Sequence, residues 1–148
     1  GNYIKENKIP KKKKKLRNLI IETLCSVFEL NNLYDCKITI IKQYDNGTYE
    51  GEFKNGKRNG HGKYTYLTGD VYIGTFKNDL KDGKGTYIYN NKDKYEGEYK
   101  DGHIHGQGIY TYIEGDKYIG QYINNHREGK GTYYYSNGNT YIGEWKEG

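Results

Sequence analysis

Tyr49-Glu-Gly-Glu-Phe-Lys-Asn-Gly-Lys-Arg-Asn-Gly-His-Gly-Lys-Tyr-Thr-Tyr66 decides how this chain is read, because its rings and glycines return downstream at a fixed step. Tyr49, Tyr72, Tyr95, Tyr118 and Tyr141 recur every 23 residues, and Gly51, Gly74, Gly97, Gly120 and Gly143 follow two places later. The same step recovers Phe53, Phe76, Tyr99, Tyr122 and Trp145, then the glycine pairs 60/62, 83/85, 106/108 and 129/131. Tyr64, Tyr87, Tyr110 and Tyr133 form a further column, and Tyr66, Tyr89, Tyr112 and Tyr135 another. So many columns in register define a repeat. Units 49–71, 72–94, 95–117 and 118–140 are complete, and a partial unit, 141–148, breaks off in mid-pattern, as expected of a fragment of a longer chain.

Within each half-unit, rings and glycines alternate with other residues, which is the period of a strand. Tyr49, Gly51 and Phe53 therefore share one face, while Glu50, Glu52, Lys63 and Thr65 take the other. Asn55-Gly56, Asn78-Asp79, Asp101-Gly102 and Asn124-Asn125 lie between the two strands of a unit and tolerate the two positive φ angles of a type I′ turn. That turn predicts Tyr49 opposite Gly62 and Gly51 opposite Gly60. Between units, the spacing of Tyr66 and Tyr72 fits a three-residue loop with a left-handed residue near Gly69, and predicts Tyr66 opposite Tyr72, Tyr64 opposite Gly74 and Gly62 opposite Phe76. Lys92 stands where that loop glycine is expected, making its loop the least secure. Before the first unit, Asp45-Asn46-Gly47-Thr48 carries Asn-Gly, the strongest two-residue hairpin signal, and keeps Tyr44 and Tyr49 on one face. Glycine beside a ring has a steric reason: with no Cβ it leaves a groove in which the ring can lie flat.

Composition agrees with rings rather than an aliphatic core. The 148 residues are 33% hydrophobic, with 19 Tyr and 21 Gly against one Pro and no Met, and the mean hydropathy is −1.12. That is poor material for a compact globule. Leu16, Leu19, Ile20, Leu24, Val27 and Phe28 recur at helical spacing until Asn31-Asn32. The expected architecture is an all-β repeat array, an elongated single-layer antiparallel sheet of β-hairpins over 36–148 with a leading strand at 36–44. One amphipathic α-helix at 16–32 and a basic flexible tail at 1–15 precede it. Two strands per unit at about 4.8 Å give an advance of about 9.6 Å per unit and a length of about 45 Å.

At this point the residues resemble the MORN (membrane occupation and recognition nexus) repeat, over about 70% of the chain from Tyr44 onward. Asp79 and Asn125 depart from its pattern at the turn glycine, and Lys92 at the loop glycine. The resemblance implies hairpin ribbons that act as scaffolds or docking platforms. It also covers regulatory arrays attached to larger proteins such as phosphatidylinositol phosphate kinases.

A single-layer sheet leaves part of an apolar face uncovered, and an uncovered aromatic stripe marks an interaction surface. The expected partner-binding groove is Phe53, Tyr64, Phe76, Tyr87, Tyr99, Tyr110, Tyr122 and Tyr133, taking a protein helix or segment, or a second copy of the chain. The competing explanation is that these rings only pack on each other. The net charge of +5 is concentrated in the tail: residues 1–15 hold seven lysines and Glu6, and the remainder carries 17 basic and 18 acidic groups. Lys11, Lys12, Lys13, Lys14 and Lys15 before an amphipathic segment have the make-up of an anchor to an anionic membrane surface, the alternative contact. Nucleic acid is not an expected partner, because no basic face with base-stacking geometry accompanies that run.

No cofactor, metal or small-molecule substrate is expected. His103 and His126 fall about 10 Å apart on successive units, and His103 with His105 supplies two ligands only. The Gly-x-Gly pairs are not followed by a helix that could offer its N-terminus to phosphate. Glu50/Glu52 and Glu96/Glu98 sit on the solvent face with no nucleophile or base beside them, so catalysis is expected, if anywhere, beyond residue 148. Gly1 does not start a myristoylation signal, since position 5 is lysine. Cys25 and Cys36 cannot build a disulfide framework, and no run approaches the roughly 18 apolar residues of a membrane span. A signal-peptide core is also missing from the N-terminus. The expected location is cytoplasmic, peripheral to a membrane or a cytoskeletal structure.

Overall fold

A computed structural model describes residues 4–5 and 39–148. Its strands are β1 (Ile4–Lys5), β2 (Ile40–Tyr44), β3 (Gly47–Lys54), β4 (Lys57–Tyr66), β5 (Val71–Lys77), β6 (Leu80–Ile88), β7 (Lys94–Lys100), β8 (His103–Thr111), β9 (Lys117–Ile123), β10 (His126–Tyr134) and β11 (Thr140–Trp145). They form one open sheet in chain order. β2 to β11 pair antiparallel, and β1 adds a short parallel ladder with Ile4 opposite Ile40. There is no helix among the described residues. The helix expected at 16–32, the lysine run 11–15 and the start of the leading strand lie outside the described residues.

The turns within units form where expected. Asn55 and Gly56 have φ of 52° and 78°, and Asn78 and Asp79 have 50° and 74°, the paired left-handed conformations of a type I′ turn. The register beyond them differs from the expected one. Tyr49 pairs with Tyr64 and Gly51 with Gly62, while Phe53 pairs with Arg58, so three residues of β4 face one residue of β3. The cause is a bulge hinged on Gly60, whose φ of 93° a side chain would strain. Gly83, Gly106 and Gly129 repeat it at 91°, 79° and 70°.

Loops between units are three residues long, as expected, with Gly69, Gly115 and Gly138 left-handed and Lys92 forced to φ 76° in the same place. Their flanking pair is Tyr66 and Asp70, however: the Tyr66 N–H donates to the Asp70 carbonyl at 2.9 Å. Tyr64 therefore pairs with Tyr72, Gly62 with Gly74 and Gly60 with Phe76, two residues away from the expected register. In the first hairpin the turn is Asp45-Asn46 rather than Asn46-Gly47, and Tyr44 pairs with Gly47. A Cβ at Gly47 would collide with β4, which explains why glycine stands at that strand position. Every shift is by an even count along the strands, so the two faces come out as the alternation predicts.

Both long edges are tied from unit to unit. Asp70 accepts from the Tyr87 hydroxyl at 3.0 Å and the Asn90 N–H at 2.8 Å, one loop further along. Asp93 does the same with Tyr110 and Ile113, and Asp116 with Tyr133 and Ser136. At the other edge the N–H groups of Asp79, Gly102 and Asn125 donate to the carbonyls of Arg58, Lys81 and Ile104. The corrected register also places Gly51, Gly62, Gly74, Gly85, Gly97, Gly108, Gly120, Gly131 and Gly143 in one row across nine strands.

Candidate functional site: an aromatic face with embedded cations

The glycine row is the floor on which the core is laid. The Tyr49 ring lies across Gly62, where any Cβ would overlap it, and its hydroxyl reaches past Gly51 to donate to the Glu52 carbonyl at 2.9 Å. Tyr72, Tyr95 and Tyr118 repeat this on Thr75, Glu98 and Gln121 at 3.0, 3.1 and 3.2 Å. These four tyrosines are 0% exposed although the sheet is a single layer. Their cover comes from neighbouring rings. Phe53, Phe76, Tyr99, Tyr122 and Trp145 stand edge-on between them at centroid distances of 5.0–5.4 Å and interplanar angles of 80–90°. That geometry suits the ring quadrupoles. Burial raises the pKa of these hydroxyls, and Tyr122 is pushed up to about 12.

A second ladder runs beside the first. Tyr64, Tyr66, Tyr87, Tyr89, Tyr110, Tyr112, Tyr133 and Tyr135 follow one another at 4.5–6.1 Å with planes tilted by 39–52°. Of the eight expected groove residues, Phe53, Phe76, Tyr99 and Tyr122 belong to the first ladder and Tyr64, Tyr87, Tyr110 and Tyr133 to the second. All eight share one face. Phe76, Tyr99, Tyr122 and Tyr64 are buried within the chain, while Phe53, Tyr87, Tyr110 and Tyr133 are half-buried. The solvent-facing part of the expected stripe is therefore mostly the second ladder, which Tyr66, Tyr89 and Tyr112 complete.

Cations set among the rings are the feature that sequence reasoning missed. Lys81 Nζ lies 4.4 Å from the Tyr87 centroid and 5.2–5.6 Å from those of Tyr66, Tyr72 and Tyr99. Arg58 stands within 5.2–5.9 Å of Tyr44, Tyr49, Tyr64 and Phe76, and Arg127 within 4.5–5.8 Å of Tyr112, Tyr118, Tyr133 and Trp145. Contacts of this kind are worth about 0.5–2 kcal/mol each. These residues occupy one column of the repeat, with Ile104 in the third unit. A sequence signal existed: the same 23-residue step at 58, 81 and 127. Strand alternation puts these positions on the ring face, where a cation is unexpected.

The opposite face is different in kind. Lys84, Glu98, Gln107, Glu96, Ile109 and Ile119 rim a groove floored by Gly85, Gly97 and Gly108. On this face opposite charges stand opposite one another on neighbouring strands, Lys84 across from Glu98 and Lys130 across from Glu144. Among the described residues no three His, Cys, Asp or Glu side chains are grouped to hold a metal. No helix among them is long and apolar enough to cross a membrane.

The family model described as MORN repeat matches residues 49–71, 72–94, 95–117, 118–140 and 141–148. No curated protein matches the chain.

Proposed function

The chain belongs to the MORN repeat family, and on that premise we propose that it is a non-catalytic scaffold whose aromatic face docks a protein helix or segment, or a second copy of itself. The second ring ladder carries this reading. Tyr66, Tyr87, Tyr89, Tyr110, Tyr112 and Tyr133 are half-buried, continuous and on a side of the single-layer sheet that no second layer covers among the described residues. Phe53, Tyr64, Phe76, Tyr99 and Tyr122 support that surface from within and set its spacing. Replacing Tyr66, Tyr89 and Tyr112 together by Ser tests it by pull-down and by solution mass. Specific partners or dimers should disappear while the far-ultraviolet circular dichroism stays that of a sheet. Retention of every partner by the folded variant sinks the reading.

The alternative is an array that brings a larger protein, such as a phosphatidylinositol phosphate kinase, to an anionic membrane through Lys11, Lys12, Lys13, Lys14 and Lys15. Five consecutive lysines favour it, at about 1 kcal/mol each near anionic lipid. Flotation with phosphoinositide vesicles, lost when the five become Gln, supports it. In both readings the protein works in the cytoplasm, at a membrane or on the cytoskeleton.

A further inference from the structure

The strand positions that share the ring face, leaving aside the bulges, hold rings, glycines, Ile40, Ile104 and four cations, Lys42, Arg58, Lys81 and Arg127. None of them holds a carboxylate, although the loop residues Asp70, Asp93 and Asp116 reach the second ladder from one edge, where they accept from the Tyr87, Tyr110 and Tyr133 hydroxyls. Glu50, Glu52, Glu96, Glu98 and Glu144 all fall on the opposite side. Arg58 has a partner of its own, with Nε 3.3 Å from the Asp79 carboxylate. Lys81 and Arg127 have no carboxylate within 4.0 Å among the described residues, although each is half-buried between tyrosines. Desolvation is costly for a cation, and it lowers the Lys81 pKa to about 8 even though Asp70 pulls the other way. Beside Lys81 lies a second unmet need: the Tyr99 hydroxyl is buried with no hydrogen-bond partner. The Tyr99 hydroxyl is sealed from solvent, so it is Lys81, a half-buried cation with no ion pair among the described residues, that an incoming anionic group would meet.

Resting on the docking reading above, we infer that this face takes an acidic amphipathic helix of a partner protein, with apolar side chains on the second ring ladder and carboxylates on Lys81 and Arg127. The spacing fits a helix. One unit advances about 9.6 Å, and seven residues of α-helix advance about 10.5 Å. Lys81 and Arg127 are two units apart, so acidic residues two heptads apart meet both, and the same apolar side returns at each unit. The partner's carboxylates restore counter-charges where water has been excluded, and a salt-sensitive, electrostatically steered association follows.

The test titrates the full chain against three labelled synthetic helices of one length, with Leu at the heptad core positions and Glu, Gln or Lys at the flanking ones. The Glu helix should bind about tenfold more tightly than the Gln helix, and the Lys helix more weakly than either. Added NaCl should weaken the Glu helix selectively. Lys81→Met and Arg127→Met should each erase most of the Glu-over-Gln preference. Should either variant fail to fold, the salt dependence and peptide ranking of the unaltered chain decide. Equal binding of the Glu and Gln helices overturns the acidic-partner inference and leaves the docking reading standing. Binding of no helix overturns the inference, while the docking reading, which also admits a second copy of the chain, is decided by its own pull-down and solution-mass test. If phosphatidylserine vesicles bind through Lys81 and Arg127 while no helix does, the face is a membrane surface and the inference is wrong.

Discussion

Tyr118 and Tyr141 occupy the same position in successive units, yet Tyr118 is 0% exposed and Tyr141 45%. Both touch the edge of Trp145, at 5.0 and 5.4 Å, and both lie over the glycine two residues on. Among the described residues no strand pairs with the outer side of β11, which carries Tyr141. Each interior tyrosine covers a glycine of its own strand and one of the next, and is enclosed by the aromatic of the unit after it. Burial in this protein is therefore a property of adjacent units, not of the unit itself. Stability should behave as a chain of nearest-neighbour contacts.

The largest expected effect tests that statement directly. Tyr95→Ala removes a fully buried ring from two edge-on contacts and a hydroxyl donated to Glu98. It should cost about 4 kcal/mol in urea unfolding, whereas Tyr141→Ala should cost under about 1 kcal/mol. Similar losses at both sites would break the comparison. Next comes the floor beneath the rings. A Cβ at Gly97 would meet the Gln107 carbonyl and the Gly108 Cα at 2.7 Å as well as the Tyr95 hydroxyl, while at Gly143 its three nearest atoms would all belong to the half-exposed Tyr141 side chain, which can give way. Gly97→Ala should therefore cost about 2–3 kcal/mol, and Gly143→Ala under about 1 kcal/mol. Thermal melts of the two single variants check this.

A smaller effect, of opposite sign, separates one interior unit from its neighbours. Lys92 holds a φ of 76° where Gly69, Gly115 and Gly138 hold 92°, 101° and 90°. A left-handed conformation costs a side chain roughly 1–2 kcal/mol, partly offset by the extra freedom glycine has when unfolded. Lys92→Gly should stabilise the sheet by about 1 kcal/mol, read as a higher urea midpoint at unchanged slope. The loop itself is held by the Lys92 N–H donating to the Tyr89 carbonyl at 2.9 Å, a bond the variant keeps.

How far the primary structure could be read follows from these residues. Periodicity at Tyr49, Gly51 and Phe53 located the units, the turns within them and the shared face, because each depends on local spacing alone. Register depended on something the spacing hides. Gly60 and Gly62 look alike as a Gly-x-Gly pair, but Gly60 is a bulge hinge at φ 93° and Gly62 is the floor under Tyr49. No feature of the letters separates the two roles. The edge carboxylates Asp70, Asp93 and Asp116 recur at the unit step as well, but their purpose shows only once Tyr87, Tyr110 and Tyr133 stand one loop away. For the candidate site, alternation brought the eight rings together and could not tell which of them bury each other. That depends on how far each ring leans across its neighbour's glycine.

The finest expected difference concerns the embedded cation of the second unit, which interior packing has taken from water. Lys81 has its pKa lowered from 10.5 to about 8, chiefly by burial, with nearby Asp70 opposing and Arg58 adding to the shift. Between about pH 8 and 10, the folded chain has released a proton that the unfolded chain still binds. Stability must then rise with pH across that window. Above about pH 10 the sign reverses, because the buried tyrosine hydroxyls are held above their ordinary value and only the unfolded chain ionises them. Urea midpoints of the wild type should therefore climb gently from pH 8 and fall beyond 10. Lys81→Arg should keep the fall and lose the climb, since a guanidinium stays charged throughout. A climb that survives Lys81→Arg would show that the ammonium among Tyr66, Tyr72, Tyr87 and Tyr99 is not what titrates. The idea that interior units impose desolvation on it would then fail, although the ring contacts would remain.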